Sequence, residues 1–388
     1  MKFKSIALLC LAGLVLVGCG DTPTDKPADP AATANVPTIV VGHVGHDHQI
    51  ALYIAALEGE SFITKHGVGL RPVKAGEQYD LVEAGKTIAR LRLVKVGGGS
   101  KMPAALARGE IEIGLGGVPA VAKLADSQTE NPVKIICPLQ TDGDMLVLAK
   151  AAPSKTWAEF IAARKASDKP VTIGYKAPMA VAKLIFQRAL DHEGVVWGDK
   201  STPGVKVVLL NMKSGKNAIP LLSGKSIDGF VMNQPVVALA ESKGLGKTVA
   251  HLNTLPPAGK WNNHPCCCVC APKDTLAKHP QAVKAFLKVI HLGTNLIASD
   301  PKTAIRLASE WTKKPLAVEQ ASVPTIAYNA RPTAAWWTGM TTWATMMTDA
   351  KLYTGRYATM TPAEILKDLC QFELCIQAYN EVNPNPFK

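Results

Sequence analysis

Four cysteines fall within five positions of "WNNHPCCCVCAPKD": Cys266, Cys267, Cys268 and Cys270. Thiolates are soft ligands for zinc, iron or copper, and strong nucleophiles when their pKa is depressed. A second cluster, "GHVGHDHQ", puts His43, His46 and His48 within six residues, and a His-x-His pair is a workable metal donor set. A metal reading of the chain would therefore draw on His43, His46, His48, Cys266, Cys268 and Cys270. Against it, the cysteine run lacks the C-x-x-C spacing of common zinc sites. In an extended strand alternation sends Cys266, Cys268 and Cys270 to one face and Cys267 to the other, with same-face neighbours about 6.5 to 7 Å apart. Thiolates converge there only if the strand bends. Packing of small residues is the leading expectation, a metal or redox role the alternative, and no cofactor is expected.

Other chemistry is thinly represented. "KGLGKTVA" ends like a phosphate-binding loop, but Glu241 occupies the position where that motif needs glycine, and "GLGGVP" carries Pro119 where a dinucleotide fingerprint needs glycine. Neither G-x-S-x-G nor H-E-x-x-H occurs. The net charge is +12 with only 6% aromatic residues, and the basic residues are dispersed singly. A nucleic-acid surface needs a clustered basic patch or a stacking platform, so nucleic acid is not an expected partner, whereas a mild positive field suits a small anionic solute. Trp336, Trp337, Trp343, Met346 and Met347 in "TAAWWTGMTTWATMM" have the spacing of a buried helix face. Cys137 in "KIICPL" reads as a buried small hydrophobe, and Cys370 and Cys375 as residues of one helical stretch, poorly oriented for a disulfide.

The N-terminus bears on the compartment. "MKFKSIALLCLAGLVLVGCG" has Lys2 and Lys4 ahead of an apolar run that is too short for a membrane span of roughly 20 residues. Its end, "LVGC", resembles a bacterial lipoprotein processing site, which implies a signal peptide over 1–18, cleavage before Cys19 and lipidation of that cysteine. Residues 19–36, rich in Pro, Ala, Thr and Asp, read as a disordered tether. The expected location is the cell envelope, lipid-anchored and facing the periplasm or the exterior.

These residues need elements to position them. From Thr38 strand-like and helix-like segments alternate, beginning with "TIVVGHV" and a helix from "DHQIALYIAALEG" that Gly67 should close, and the pattern restarts after Pro153. Such alternation specifies α/β layers with mainly parallel sheets, and the chain is long enough for two lobes. The expected division is 37–140 for the first part of lobe I, 141–264 for lobe II, and 265–388 for the rest of lobe I with a helical tail. Ligands of open α/β sheets bind beyond the carboxyl ends of strands, which singles out the loops "GHVGHDHQ", "GGGSKM", "GLGGVP", "YKAPMA" and "MNQP".

The segments "HQIALYIAALEGESFITKHGVGL", "VGGGSKMPAALARGEIEIGLGGVPAVAKLAD", "IGYKAPMAVAKLIFQRAL", "LLSGKSIDGFVMNQPVVA" and "HPCCCVCAPKDTLAKHPQAVKAFLKV" run in an order that resembles the nitrate/sulfonate/taurine-type substrate-binding proteins of ABC importers. That group shares its fold with the thiamine-pyrimidine-precursor synthases. The likeness covers Thr38 to Ala298, with "KAGEQYDLVEAGKTIAR" as an insertion. It implies an α/β, two-lobed type II periplasmic-binding fold, each lobe a mainly parallel sheet flanked by helices, and a monomeric receptor that is not an enzyme. Its partners would be a small solute, anionic or heteroaromatic, an ABC permease with its ATPase, and the membrane through Cys19. The synthases supply the rival reading, since they bind iron at a Cys-Cys-Cys-Phe-Cys run where this chain has "CCCVC".

Candidate solute contacts follow from the loops. Gly98, Gly99 and Ser100, and Gly116 and Gly117, end strands and open helices, where bare N–H groups favour an anion or carbonyl. Lys176 offers a charge and Met179 an apolar contact from lobe II, and Asn233 and Gln234 offer amides. His46 or His48 is expected to face the cleft, with Asp47 as N-cap of the following helix. By spacing, Gln49 stands closest to the position where related proteins carry a ligand-facing histidine or aromatic residue.

Overall fold

The computed structural model of this chain describes residues 36–97 and 101–385. The expected signal, Cys19 and most of the tether lie outside these residues, as do Gly98, Gly99 and Ser100. Among the described residues fourteen strands form two sheets: β1 (Thr38–His43), β2 (Val68–Lys74), β3 (Gln78–Glu83), β4 (Lys86–Lys95), β5 (Ile113–Gly117), β6 (Val133–Asp142), β7 (Asp144–Ala149), β8 (Val171–Tyr175), β9 (Trp197–Gly198), β10 (Val207–Asn211), β11 (Gly229–Asn233), β12 (Gly246–His251), β13 (Pro265–Pro272) and β14 (Ile326–Tyr328). The first sheet runs β14-β6-β13-β5-β1-β4-β3-β2 and the second β12-β7-β11-β8-β10-β9.

The first sheet corrects the expectation of mainly parallel pairing. Only β1–β4 and β1–β5 are parallel there, and the remaining neighbours are antiparallel. One cause is the segment "KAGEQYDLVEAGKTIAR", which folds as a β-meander. Ala84 and Gly85, with φ of 48° and 77°, make the two-residue hairpin turn that both positive φ values permit. The other cause is the return of β13 and β14 against β6. In the second sheet β8, β9, β10 and β11 pair in parallel, as alternating strands and helices dictate.

Crossings between the sheets are short. The chain leaves β6 at Asp142 and enters β7 at Asp144 through Gly143, with φ of 64° at Asp142 and 79° at Gly143. It returns after Trp261 through His264 into β13, whose eight residues are all buried between β5 and β6. A strand covered on both faces tolerates only small or apolar side chains, which is why Cys and Ala occupy it.

Helices cover the first sheet closely. Ile50–Leu57 is buried along almost its whole length, and Pro280–Ser299 crosses it so tightly that a Cβ on Gly293 would lie 2.2 Å from the Ala51 carbonyl oxygen. Gly67, at φ 71°, ends helix Gly59–His66 in the left-handed conformation expected of a C-terminal cap. From Lys273 onward nearly everything is helical apart from β14. In helix Ala334–Asp349, Trp336, Trp343, Met346 and Met347 are buried, and the Trp343 indole N–H donates to the Pro265 carbonyl at 2.8 Å. The aromatic run thus serves packing and braces the start of β13.

Candidate functional site

A cavity of about 410 Å³ opens where the carboxyl ends of both sheets face each other. The first sheet contributes Val44 and His46 after β1, Gly116 and Gly117 at the end of β5, and Cys266 and Cys267 of β13; the second contributes Asp144, the loop 176–180 after β8 with the first residues of the helix that follows it, and Met232 and Asn233 of β11. Most of this lining is apolar, with polar groups supplied by His46, Asp144, Lys176 and Asn233 and, on the helix Val118–Asp126 side, by Lys123 and Ser127. Such a surface suits a compact solute with an apolar body and one polar handle.

Of the sequence-derived candidates, His46, Gly116, Gly117, Lys176, Met179 and Asn233 line this cavity together. Gly117 is the N-cap residue of helix Val118–Asp126, at φ −70° and ψ 133°, and a Cβ there would meet nothing closer than the Cys266 carbonyl oxygen at 3.8 Å. Lys176 donates its Nζ to Asn233 Oδ1 at 2.5 Å, while Asn233 Nδ2 donates to the Gln234 carbonyl at 2.6 Å. The amide thereby orients the ammonium toward the cavity. His46 keeps a sealed Nδ1 without a hydrogen-bond partner, and burial, reinforced by the Lys176 charge, holds its pKa well below the ordinary value. It is a neutral imidazole with an uncommitted nitrogen.

Gln234 is placed elsewhere. Its Oε1 accepts from the Ala238 N–H at 3.0 Å and its Nε2 donates to Thr325 Oγ1 at 3.3 Å, so the amide caps a helix and bridges to the tail. Gln49 is equally committed, receiving the Val44 N–H at 2.8 Å and donating to the Leu115 carbonyl at 2.6 Å. Asp47 is no helix cap, because the turn Asp47–Gln49 has His46 as its N-cap residue with no side-chain cap bond. Its buried carboxylate instead accepts from Ser322 Oγ. Burial and the neighbouring Glu319 carboxyl raise its pKa well above the usual carboxylate value.

The cysteine and histidine clusters are also rearranged. His43 lies away from the rest, 3.2 Å from the Tyr53 hydroxyl and edge-on to Trp311. His48 sits behind the cavity wall, where its Nε2 meets the Gly143 carbonyl at 3.3 Å and its Nδ1 the Cys266 sulfur at 3.3 Å. A carbonyl only accepts, so Nε2 carries a proton. The donor atoms of His48, Cys266 and Cys267 lie within 4.8 Å of one another, a set able to hold a thiophilic ion. Cys268 and Cys270 are excluded from it, since their thiols donate to the carbonyls of Gly116 at 3.6 Å and Gly114 at 3.3 Å. Strict alternation fails because β13 shifts register against β6 between Pro265 and Cys267 and again between Cys267 and Cys268, and a bulge turns consecutive side chains toward one side. Hydrogen bonding from Cys266, aided by His48, brings Cys267 down to about 5, while burial pushes Cys266 up.

Two groups escaped the sequence reading. Asp144 and His264 flank the crossings, with His264 Nδ1 3.2 Å from Asp142 Oδ1 and Nε2 3.5 Å from Asp144 Oδ2. Nδ1 also donates to the Trp261 carbonyl at 2.9 Å, so that with carboxylates at both nitrogens the ring is an imidazolium. Burial opposes that charge, but Asp142 and Asp144 outweigh it and raise His264 to about 9. Burial would likewise raise Asp144, yet His264 holds it below the usual carboxylate value. Nothing local in "QTDGD" announces this pairing, which depends on a residue 120 positions away in the second crossing.

This two-lobed α/β architecture, with its cavity between the sheets, is the periplasmic-binding-protein fold. Residues 34–312 match the NMT1-like family, and the chain belongs to it. An uncharacterised protein of Methanocaldococcus jannaschii is 30% identical over 149 residues, which cover 38% of this chain and 95% of that protein. Among solved structures, the chain is similar to a zinc-bound ligand-binding component of an ABC-type import system from Staphylococcus aureus, at 17% identity and TM-score 0.65 over 90% of this chain and 100% of that one. It is similar to the periplasmic nitrate-binding protein of Synechocystis, at 14% identity and TM-score 0.65 over 91% and 92%. The alkanesulfonate-binding protein of Xanthomonas axonopodis, bound to MOPS, gives 13% identity and TM-score 0.60 over 84% and 96%.

Proposed function

We propose that this protein is the extracytoplasmic solute receptor of an ABC importer. The observation that carries the reading is the cavity itself, which draws its walls from both sheets at the carboxyl ends of their strands. A solute there contacts both lobes at once, stabilises their approach, and so marks the loaded state for a permease and its ATPase. The structural neighbours, a zinc-bound ligand-binding component of an ABC-type import system, an alkanesulfonate-binding protein and a periplasmic nitrate-binding protein, support it through the shared fold. Lys176 and Asn233 would take the anionic or acceptor group of the solute, His46 a second polar contact, and Val44, Met179 and Met232 a heteroaromatic or aliphatic body. Lipidation of Cys19 would hold the receptor at the membrane; among the described residues no helix is long and apolar enough to cross one.

The test is a thermal-shift and native mass-spectrometry screen of small anions, sulfonates and pyrimidines. A binder should raise the melting temperature by mass action, and Lys176→Met should abolish that rise while leaving the unliganded melting temperature near wild type. The reading fails if no compound binds, or if Lys176→Met responds as wild type does. A second reading, an envelope metal-binding protein, is favoured by the convergence of His48, Cys266 and Cys267; metal analysis of a Cys266→Ser/Cys267→Ser variant against wild type decides it.

A further inference from the structure

Outside the lining of the cleft, three chain segments bring two thiols and an imidazole together in the core of the first lobe. Cys137 belongs to β6, His291 to helix Pro280–Ser299 and Cys375 to helix Glu373–Val382. Cys137 and Cys375 are 0% exposed and His291 1%, and their donor atoms all lie within 4.8 Å of one another. Cys375 is not paired with Cys370, which ends helix Pro362–Leu369 and bridges to Ile135 instead. Both thiols reach the Ala330 carbonyl, at 3.3 Å from Cys137 and 3.4 Å from Cys375, and Cys137 also lies 3.1 Å from the Pro138 carbonyl. The Cys375 sulfur stands 3.6 Å from His291 Nε2, which donates to the Cys375 carbonyl at 3.1 Å, a bond it would release on ligating a metal.

These separations have a meaning beyond packing. Four donors around a tetrahedral zinc ion, at the usual bond lengths to sulfur, nitrogen and oxygen, are about 3.3 to 3.8 Å apart; the two sulfur–oxygen edges of 3.3 and 3.4 Å and the sulfur–nitrogen edge of 3.6 Å already match this to within a few tenths of an ångström, and the remaining edges among the thiols and the imidazole are no longer than 4.8 Å. Charge points the same way, because two thiolates and a divalent cation sum to zero and a neutral imidazole and a carbonyl add nothing. A fully buried apolar site admits such a neutral set, whereas it would reject a lone thiolate.

We propose that Cys137, Cys375 and His291, with the Ala330 carbonyl as fourth donor, form a structural zinc site that ties helices Pro280–Ser299 and Glu373–Val382 to β6. Two zinc–sulfur bonds form as the two S–H bonds break, two protons leave to solvent, and no electron is transferred. Because the ligands come from three distant segments, binding favours the folded chain over the unfolded one. The site is independent of the cleft and of the solute it takes.

The experiment is elemental analysis and cobalt substitution of the full chain. Protein folded with Zn2+ and then passed over a chelating resin should retain one zinc per chain, and the Co2+ form should show an intense sulfur-to-cobalt charge-transfer band. Cys375→Ser and Cys137→Ser should lose both signals, while Cys266→Ser/Cys267→Ser should keep them. Should the serine variants fail to fold, His291→Gln, which preserves volume, must still weaken the wild-type cobalt band. Absence of zinc and of a thiolate–cobalt band in folded wild type overturns the proposal, as does retention of both in Cys375→Ser. A Cys137–Cys375 disulfide found by peptide mapping of protein kept under anaerobic conditions overturns it equally.

Discussion

Replacing His264 by Gln tests the electrostatic core of the crossings. The side chain is 2% exposed, with a carbonyl and two carboxylates around its nitrogens. Its pKa rises from 6.5 to about 9 on folding, which at about 1.4 kcal/mol per pH unit corresponds to roughly 3 kcal/mol of stability. The folded value exceeds the unfolded one, so the whole contribution is present below pH 6.5 and is lost as pH rises through about 9. Glutamine preserves the volume and can still donate to one partner, but it leaves Asp142 and Asp144 as uncompensated neighbours. Urea unfolding monitored by tryptophan fluorescence at pH 6, 7.5 and 9.5 measures the effect. The variant should fall about 3 kcal/mol below wild type at pH 6, with the gap narrowing strongly by pH 9.5. A gap that stays constant across this range would show that His264 packs rather than pairs, and a variant as stable as wild type at pH 6 would refute the imidazolium assignment.

Two further outcomes follow from the same geometry. Gly117→Leu should fold with an unchanged melting temperature, because its added Cβ meets only ordinary contacts at 3.8 and 3.9 Å and the backbone is unstrained; solute affinity should fall at least about tenfold, or 1.4 kcal/mol, in calorimetric titration. Gly293→Ala should destabilise by about 2 to 3 kcal/mol in urea unfolding, since its methyl would drive helix Pro280–Ser299 off the Ala51 carbonyl at 2.2 Å, and a neutral outcome would contradict the close helix crossing.

Much of the site was legible because strand ends are legible. The runs "IEIGLGG", "VTIGYK" and "DGFVMN" read as strands, and the rule that crevices form beyond their carboxyl ends led directly to Gly116, Gly117, Lys176 and Asn233, all of which line the cavity. Which amides stay free was not legible. Gln49 and Gln234 look like ligands in sequence, yet the amide nitrogen of each is taken up by a remote segment, Leu115 for one and Thr325 for the other. The cysteines misled for a different reason. Alternation is a property of a regular strand, and the register shifts in β13 depend on its neighbour β6 rather than on anything in "CCCVC".

His48 occupies a position whose consequence is mechanical. Its two ring nitrogens touch different crossings, one through the Gly143 carbonyl and the other through the Cys266 thiol, and a Cβ on Gly143 would lie 2.6 Å from the ring. The two connecting strands are therefore riveted to each other rather than left as separate pivots, and the second is further clamped by Trp343 at Pro265. Twist introduced at either strand is shared by both, so opening and closing should proceed as one torsional spring with a single stiffness, set by a residue that never faces the solute.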